Sequence, residues 1–145
     1  MRPLTVAILA LFLESARGES TADAVDMATF RAICGSCHST SLVEGLRTEE
    51  EWREEVDQMI KVGARGTETQ LQRVMRVLAR TLTKVNINTA DARQIAPVLD
   101  VSEAIAEAVV KRRSSNGKFT SLEDLKRVPG VDAGKLDARK DRIEF

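Results

Sequence analysis

Cys34-Gly35-Ser36-Cys37-His38 uses both cysteines and the single histidine of a 145-residue chain, in the spacing that attaches a c-type haem. Two thiols three positions apart on the first turn of a helix reach the two vinyl groups of one porphyrin. The histidine beside the second thiol is then held under the iron as its proximal ligand. Two other chemistries use parts of this pattern. A dithiol redox motif needs a βαβ context, and no strand run precedes the segment: Asp26 to Ile33 reads as a short helix with Met27, Phe30 and Ile33 on one face. A zinc site needs four ligands, and two cysteines with one histidine fall short unless a carboxylate or a second chain helps. The spacing therefore favours one covalent haem c held by Cys34, Cys37 and His38.

Leu4 to Leu13 form a nearly unbroken apolar run behind Met1-Arg2, interrupted only afterwards by Glu14. That is the pattern of a secretory signal, and it is too short to span a membrane. Small residues stand at both required positions in Ala16-Arg17-Gly18 and in Ala22-Asp23-Ala24, so removal is expected after residue 18 or residue 24, within a signal segment 1–24. Export and covalent haem agree, because two close thiols outside the cytoplasm otherwise oxidise to a disulfide. The mature chain is expected in the periplasm or otherwise exported, with no integral membrane span. The full sequence, with one Trp, four Phe and no Tyr, is poor in large aromatics, and a small domain of this kind needs a further source of burial. A haem supplies it for the first half.

The expected fold is all-α: a small three-helix domain over residues 25–83, then a second helical domain over residues 84–145. In the first, Thr48 to Glu51 is a capping box opening a helix with Trp52, Val56, Met59 and Ile60 on one side and Arg53, Glu54, Asp57 and Lys61 on the other. Gly63 stops it. A second box, Thr67 to Gln70, opens a helix whose Leu71, Val74, Met75, Leu78 and Leu82 form the facing stripe. With no second histidine, a methionine thioether is the common sixth ligand. Met1 is lost with the signal and Met27 lies on the attachment helix itself. Met59, beside a glycine-bounded helix end, is favoured over Met75, which ordinary core packing explains; an open distal position is the remaining alternative.

This half resembles the small class I monohaem cytochromes c, and more closely the compact haem modules related to those of quinohaemoprotein amine dehydrogenases. The likeness covers about residues 27 to 82 and is carried by Cys34, Cys37 and His38, then Glu51-Trp52, Val56, Met59, Gly63 and the closing Val74 to Leu78. It implies that the methionine after the Trp helix is distal, which maps onto Met59. Such cytochromes often carry an aromatic before the last leucine of the closing helix, where this chain has Val77.

The second half is similar to the tandem helix-hairpin-helix domain of the competence protein ComEA. Val85-Asn86-Ile87-Asn88-Thr89-Ala90, Asn116-Gly117 through Phe119 and Ser121 to Leu125, and Val128-Pro129-Gly130-Val131 carry that likeness. A helix capped by Thr89 is expected, with Ile95, Leu99, Ile105, Val109, Phe119, Leu122, Leu125 and Leu136 sharing a core. The resemblance implies sequence-independent binding of duplex DNA, with hairpin amides at a helix start facing a backbone phosphate. Here the first hairpin, Leu99-Asp100-Val101-Ser102, has neither family glycine, and the second has only Gly130. Asp100 and Asp132 place carboxylates near the phosphate position. Lys111-Arg112-Arg113 is the one basic run, and twelve basic against ten acidic residues from Lys84 onward make a small bias.

These features point to an exported one-electron carrier, not an enzyme, with redox partner proteins and a C-terminal docking domain. The sole histidine is consumed as proximal ligand, so no distal base is left for peroxidase chemistry. Two alternatives stand beside this reading: an exported DNA-binding protein of the ComEA type that carries a haem domain, and a haem enzyme or sensor with an open distal site. DNA is the less favoured partner.

Overall fold

The computed structural model describes residues 21–145. The apolar export segment and the first cleavage point lie outside these residues. Helix α1 (Thr21–Cys34) is longer than the Asp26–Ile33 stretch expected, and the second cleavage point, after Ala24, falls inside it. The extra turn is held from outside the helix. Asp23 pairs with Arg80 at 2.7 Å, and buried Asp26 takes a two-pronged contact from Arg76, 2.8 Å at each oxygen. Both arginines belong to helix α3 (Glu68–Thr81), so no local pattern around α1 announces its start.

Helix α2 (Glu49–Lys61) and α3 begin at the expected capping boxes. Thr48 N–H donates to Glu51 Oε2 at 2.7 Å and Glu51 N–H to Thr48 Oγ1 at 3.3 Å. Thr67 and Gln70 exchange the same two bonds at 2.8 and 3.3 Å. Each box satisfies two amide donors that the helix start leaves unpaired. Between α1 and α2 the chain makes a 3₁₀ turn, Thr40–Leu42, capped by the Ser39 hydroxyl. Phe30, Trp52, Val74, Val77 and Leu78 form a small buried core where the three helices meet.

The C-terminal half has its own core, which shares no residue with the first. Strand β1 (Val85–Asn86) pairs in parallel with β2 (Ile143–Glu144), in the register Val85 to Ile143 and Asn86 to Glu144. This two-stranded ribbon is an addition to the all-α expectation. Helices α4 (Ala92–Leu99), α5 (Glu103–Asn116), α6 (Leu122–Lys126) and α7 (Ala133–Ala138) follow. The cap of α4 is Asp91, in a box with Gln94, and not Thr89. Thr89 belongs to a turn in which the Asn86 carbonyl accepts from Thr89 and Ala90 N–H, so helical backbone starts two residues later. Ile95, Leu99, Val109, Phe119, Leu125 and Leu136 are buried as the pattern required, whereas Ile105 and Leu122 are only half-buried. Val85, Ile87, Val98, Ala106, Val128 and Ile143 complete this core.

The two halves meet at Arg142. Its guanidinium donates to the carbonyls of Ala79, Arg80 and Thr83 at 2.7, 2.7 and 2.8 Å. The last carbonyls of a helix have no partner within it, and the tail of the chain supplies one for α3. Thr83 Oγ1 donates to Leu78 O, and Trp52 Nε1 donates to Leu82 O at 3.0 Å.

Candidate haem site and helix-hairpin-helix surface

Beside the N-terminal core is an apolar cavity of about 350 Å³. Its walls come from all three helices and from the 3₁₀ turn. Phe30 and Ile33 belong to α1, Leu42 and Val43 to the turn and its end, Trp52, Val56, Met59 and Ile60 to α2, and Leu71, Val74 and Leu78 to α3. Trp52 is 2% exposed, but Met59 is 36% exposed, and Val56 and Ile60 are only half-covered. The apolar stripe of α2 is thus packed at one end and open towards the cavity at the other. Leu42 and Val62, 69% and 79% exposed, stand at its edge.

Cys34, Cys37 and His38 line this same cavity. Cys34 closes α1 and is half-buried, Cys37 is exposed, and no disulfide joins them. Burial pushes the Cys34 thiol pKa up, which keeps it in the protonated form. The chain leaves α1 tightly: Gly35 N–H donates to Arg31 O at 2.9 Å, and a Cβ at Gly35 would run into that carbonyl. The His38 ring has Nδ1 at 3.1 Å from the Ser39 carbonyl. A carbonyl accepts, so Nδ1–H is the donor, and in the neutral ring this leaves the Nε2 lone pair as a ligand atom. Among the described residues no group of three or more His, Cys, Asp or Glu side chains gathers to hold a metal ion. A haem site needs only the axial ligand atoms and apolar walls, and the donor set and lining fit that requirement.

Met59 faces the cavity, whereas Met75 packs against the N-terminal core and takes no part in the cavity wall. Met27 packs there too. Val77, where an aromatic was expected to cover a haem edge, is 2% exposed and also lies outside the lining, so its size does not set how the cavity is covered. Arg47 is a lining residue that the sequence reading missed. It stands in the loop before α2, with no periodic pattern to mark it, and its guanidinium lies 4.5 Å from the centre of the Trp52 ring.

In the C-terminal half, the α4–α5 hairpin turns at Asp100, which has φ 55° and ψ 52°, a backbone state that glycine adopts most readily. Its carboxylate lies 2.8 Å from Lys135 Nζ and 3.6 Å from Arg139; Lys135 also donates to the Asp100 carbonyl at 3.1 Å. The carboxylate expected to repel a phosphate is therefore bridged to two cations of the second hairpin. Asp132 caps α7 by accepting from Lys135 N–H. Gly130 has φ 86°, and a Cβ there would sit 3.1 Å from Ile105 Cγ1, so the left-handed backbone and the close approach both suit the one family glycine present.

The Lys111-Arg112-Arg113 run is not the free basic cluster it looks like in sequence. Arg112 binds Asp124 at 2.8 Å, and Arg113 donates to the Ile87 carbonyl at 2.8 Å. Lys111 alone is left exposed. Asn88 pairs its side-chain amide with both backbone groups of Phe119, at 2.9 and 2.8 Å, fixing the loop after α5 to the loop after β1.

Residues 80–144 match the family described as Helix-hairpin-helix motif. The Endonuclease/exonuclease/phosphatase family domain-containing protein 1 of Danio rerio is 44% identical over 63 residues, 43% of this chain and 11% of that protein. Its Homo sapiens counterpart is 40% identical over 60 residues, 41% of this chain and 10% of the relative. ComE operon protein 1 of Bacillus subtilis (strain 168) is 34% identical over 59 residues, 41% of this chain and 29% of the relative. The matches are local, and the chain spans about a tenth of the first of these relatives. No solved structure matches the chain. No helix among the described residues is long and apolar enough to cross a membrane. With two hairpins, α4–α5 and α6–α7, packed on one core, the C-terminal part of this mostly helical chain is a helix-hairpin-helix domain.

Proposed function

We propose that this chain is an exported monohaem c-type protein that carries single electrons between partners, and that its helix-hairpin-helix domain places it on a larger target. The observation that carries the reading is the convergence of Cys34, Cys37, His38 and Met59 on one apolar cavity. Bound there, a haem would supply a one-electron couple. The chain's own residues would anchor it through the two sulfurs of Cys34 and Cys37, offer His38 Nε2 and the Met59 thioether as ligand atoms, and exclude water with the α2 and α3 stripes. Glu55 is the one carboxylate among the described cavity-lining residues, and it is exposed, so electron transfer is favoured over bond-making chemistry.

The experiment is the mass of the mature full-length chain after expression with a haem-attachment system. It is expected to exceed the polypeptide by one haem, with the haem retained on denaturation and extraction. Cys34→Ser/Cys37→Ser is expected to abolish the addition. A mature wild-type chain with the mass of the bare polypeptide would falsify the reading.

A second reading concerns the C-terminal half, and there the comparisons favour it over a protein-docking role. The helix-hairpin-helix match and the similarity to ComE operon protein 1 support an exported DNA-binding protein of the ComEA type in which the haem domain is an added module. The left-handed backbone at Gly130 agrees with a working second hairpin, whereas the Asp100 carboxylate occupies Lys135 and Arg139 and opposes it. Both readings share the haem and differ in what the second domain touches.

A further inference from the structure

We propose that haem loading in the N-terminal cavity stabilises the helix-hairpin-helix domain through the end of α3, so that the loaded chain holds that domain closed and the unloaded chain lets it open. The inference rests on haem attachment at Cys34 and Cys37. Two cores that share no residue can open as two separate units. Here the junction between them, residues 82–85, is bonded into both.

From the N-terminal side, Trp52 Nε1 donates to Leu82 O, and Thr83 Oγ1 donates to Leu78 O, each at 3.0 Å. Trp52 and Leu78 are both walls of the cavity. From the C-terminal side, Arg142 donates to Thr83 O at 2.8 Å, Lys84 Nζ lies 3.1 Å from Glu144, and Val85 pairs with Ile143. Thr83 and Arg142 are buried, so a broken bond between them is poorly replaced by water. Helix α3 is common to the two halves. Its Leu71, Val74 and Leu78 face the cavity, α4 of the second domain packs against it, and its last carbonyls accept from Arg142. A porphyrin packed on α2 and α3 buries apolar surface only while those helices are in place, so its attachment favours the closed form of the N-terminal half. Opening α3 takes the Ala79, Arg80 and Thr83 carbonyls away from Arg142, and loss of Arg142 draws Ile143 off Val85. Whatever holds α3 therefore also holds the ribbon on which the second core is built.

The test is amide hydrogen exchange in the full-length chain, read by mass on peptides from α5, none of whose residues lines the cavity. Wild type matured with a haem-attachment system is compared with wild type made without it and kept reduced, and Arg142→Ala is prepared in the same two forms. Intact mass gives the haem content of each sample. Exchange in α5 is expected to be about fivefold or more slower in the loaded wild type than in the unloaded one, the lower end of ordinary coupling between sites. In Arg142→Ala the difference made by haem is expected to be lost from α5 while it persists in α3. Equal exchange of α5 in loaded and unloaded wild type overturns the inference and leaves haem attachment standing. A haem-dependent difference that survives undiminished in Arg142→Ala overturns the route through the tail. If Arg142→Ala does not accumulate, Trp52→Phe takes its place, since it keeps an aromatic ring in the wall and loses the N–H donated to Leu82. The haem-dependent difference in α5 is then expected to shrink, and an unchanged one overturns the inference. A wild-type chain that matures without haem overturns both the inference and the reading on which it rests.

Discussion

Arg142 donates its Nε–H to the Thr83 carbonyl at 2.8 Å across 59 residues of sequence. Its two other bonds, to Ala79 and Arg80, make the tail of the second domain the cap of a helix in the first. Burial pushes the Arg142 pKa down, with Arg139 adding to the effect. Three carbonyls at the negative end of α3 nevertheless favour the charge.

Arg142→Ala leaves those carbonyls without donors, and hydrogen bonds to a charged group contribute about 2 kcal/mol each, partly offset by water entering. We expect a loss of about 2–4 kcal/mol in chemical denaturation. The loss should appear in Trp52 fluorescence, since Trp52 is bonded to Leu82, and not only in the C-terminal half. An unchanged Trp52 transition would show that α3 does not depend on the tail.

Asp26 is 3% exposed and tied to Arg76 and Arg80. The hydrogen bonds from Arg76 hold its carboxyl below the usual carboxylate range, against the opposing effect of burial. A carboxyl with a depressed folded-state pKa contributes stability that is complete above its unfolded value, about 3.9, and is lost as pH falls through the folded value. Asp26→Asn is therefore expected to cost about 2 kcal/mol at neutral pH, with the gap to wild type closing only below about pH 4. Thermal melts of both proteins at several pH values check this. A gap that is constant down to strong acid contradicts it.

Met59 lines the cavity and Met75 does not, so removal of each thioether has a different expected outcome. In the oxidised haem protein, Met59→Ala should abolish the weak far-red sulfur-to-iron band and lower the midpoint. Met75→Ala should keep the band and cost about 2 kcal/mol or more as a packing defect. Loss of the band in Met75→Ala with survival in Met59→Ala would reverse the assignment.

Features written in neighbouring residues were legible in the sequence. The Thr48–Glu51 and Thr67–Gln70 boxes are three-residue patterns, and both helices start where they indicate. Cys34, Cys37, His38 and Met59 could be singled out from spacing and helix faces, and the fold brings them to one cavity. What could not be read were side chains whose partners are distant. Arg142, Arg112 and Arg113 sit in charged stretches that look solvated, yet each closes a contact 12 to 59 residues away. Arg47 carries no pattern because its position depends on a bridge to Thr83. Thr89 and Asp91 are both good caps, and only the turn at Asn86 decides between them.

The bridge from Asp100 to Lys135 and Arg139 gives a test of whether the C-terminal domain contacts DNA. An aspartate at the hairpin tip occupies two cations of the opposite hairpin, much as a phosphate would. Duplex DNA binding by the wild-type full-length chain is therefore expected to be weak and strongly salt-dependent, since association with a polyanion is driven by counterion release. Asp100→Gly suits the left-handed backbone at that position and frees both cations. It should tighten binding and steepen the dependence of log affinity on log salt by about 2, close to one per added phosphate contact. Gly130→Leu should act in the opposite direction, because φ is 86° there and Ile105 is in contact. Titration of a labelled duplex at several salt concentrations measures all three. If Asp100→Gly changes neither affinity nor slope, Lys135 and Arg139 do not reach the backbone, and a protein target for this domain becomes the better reading.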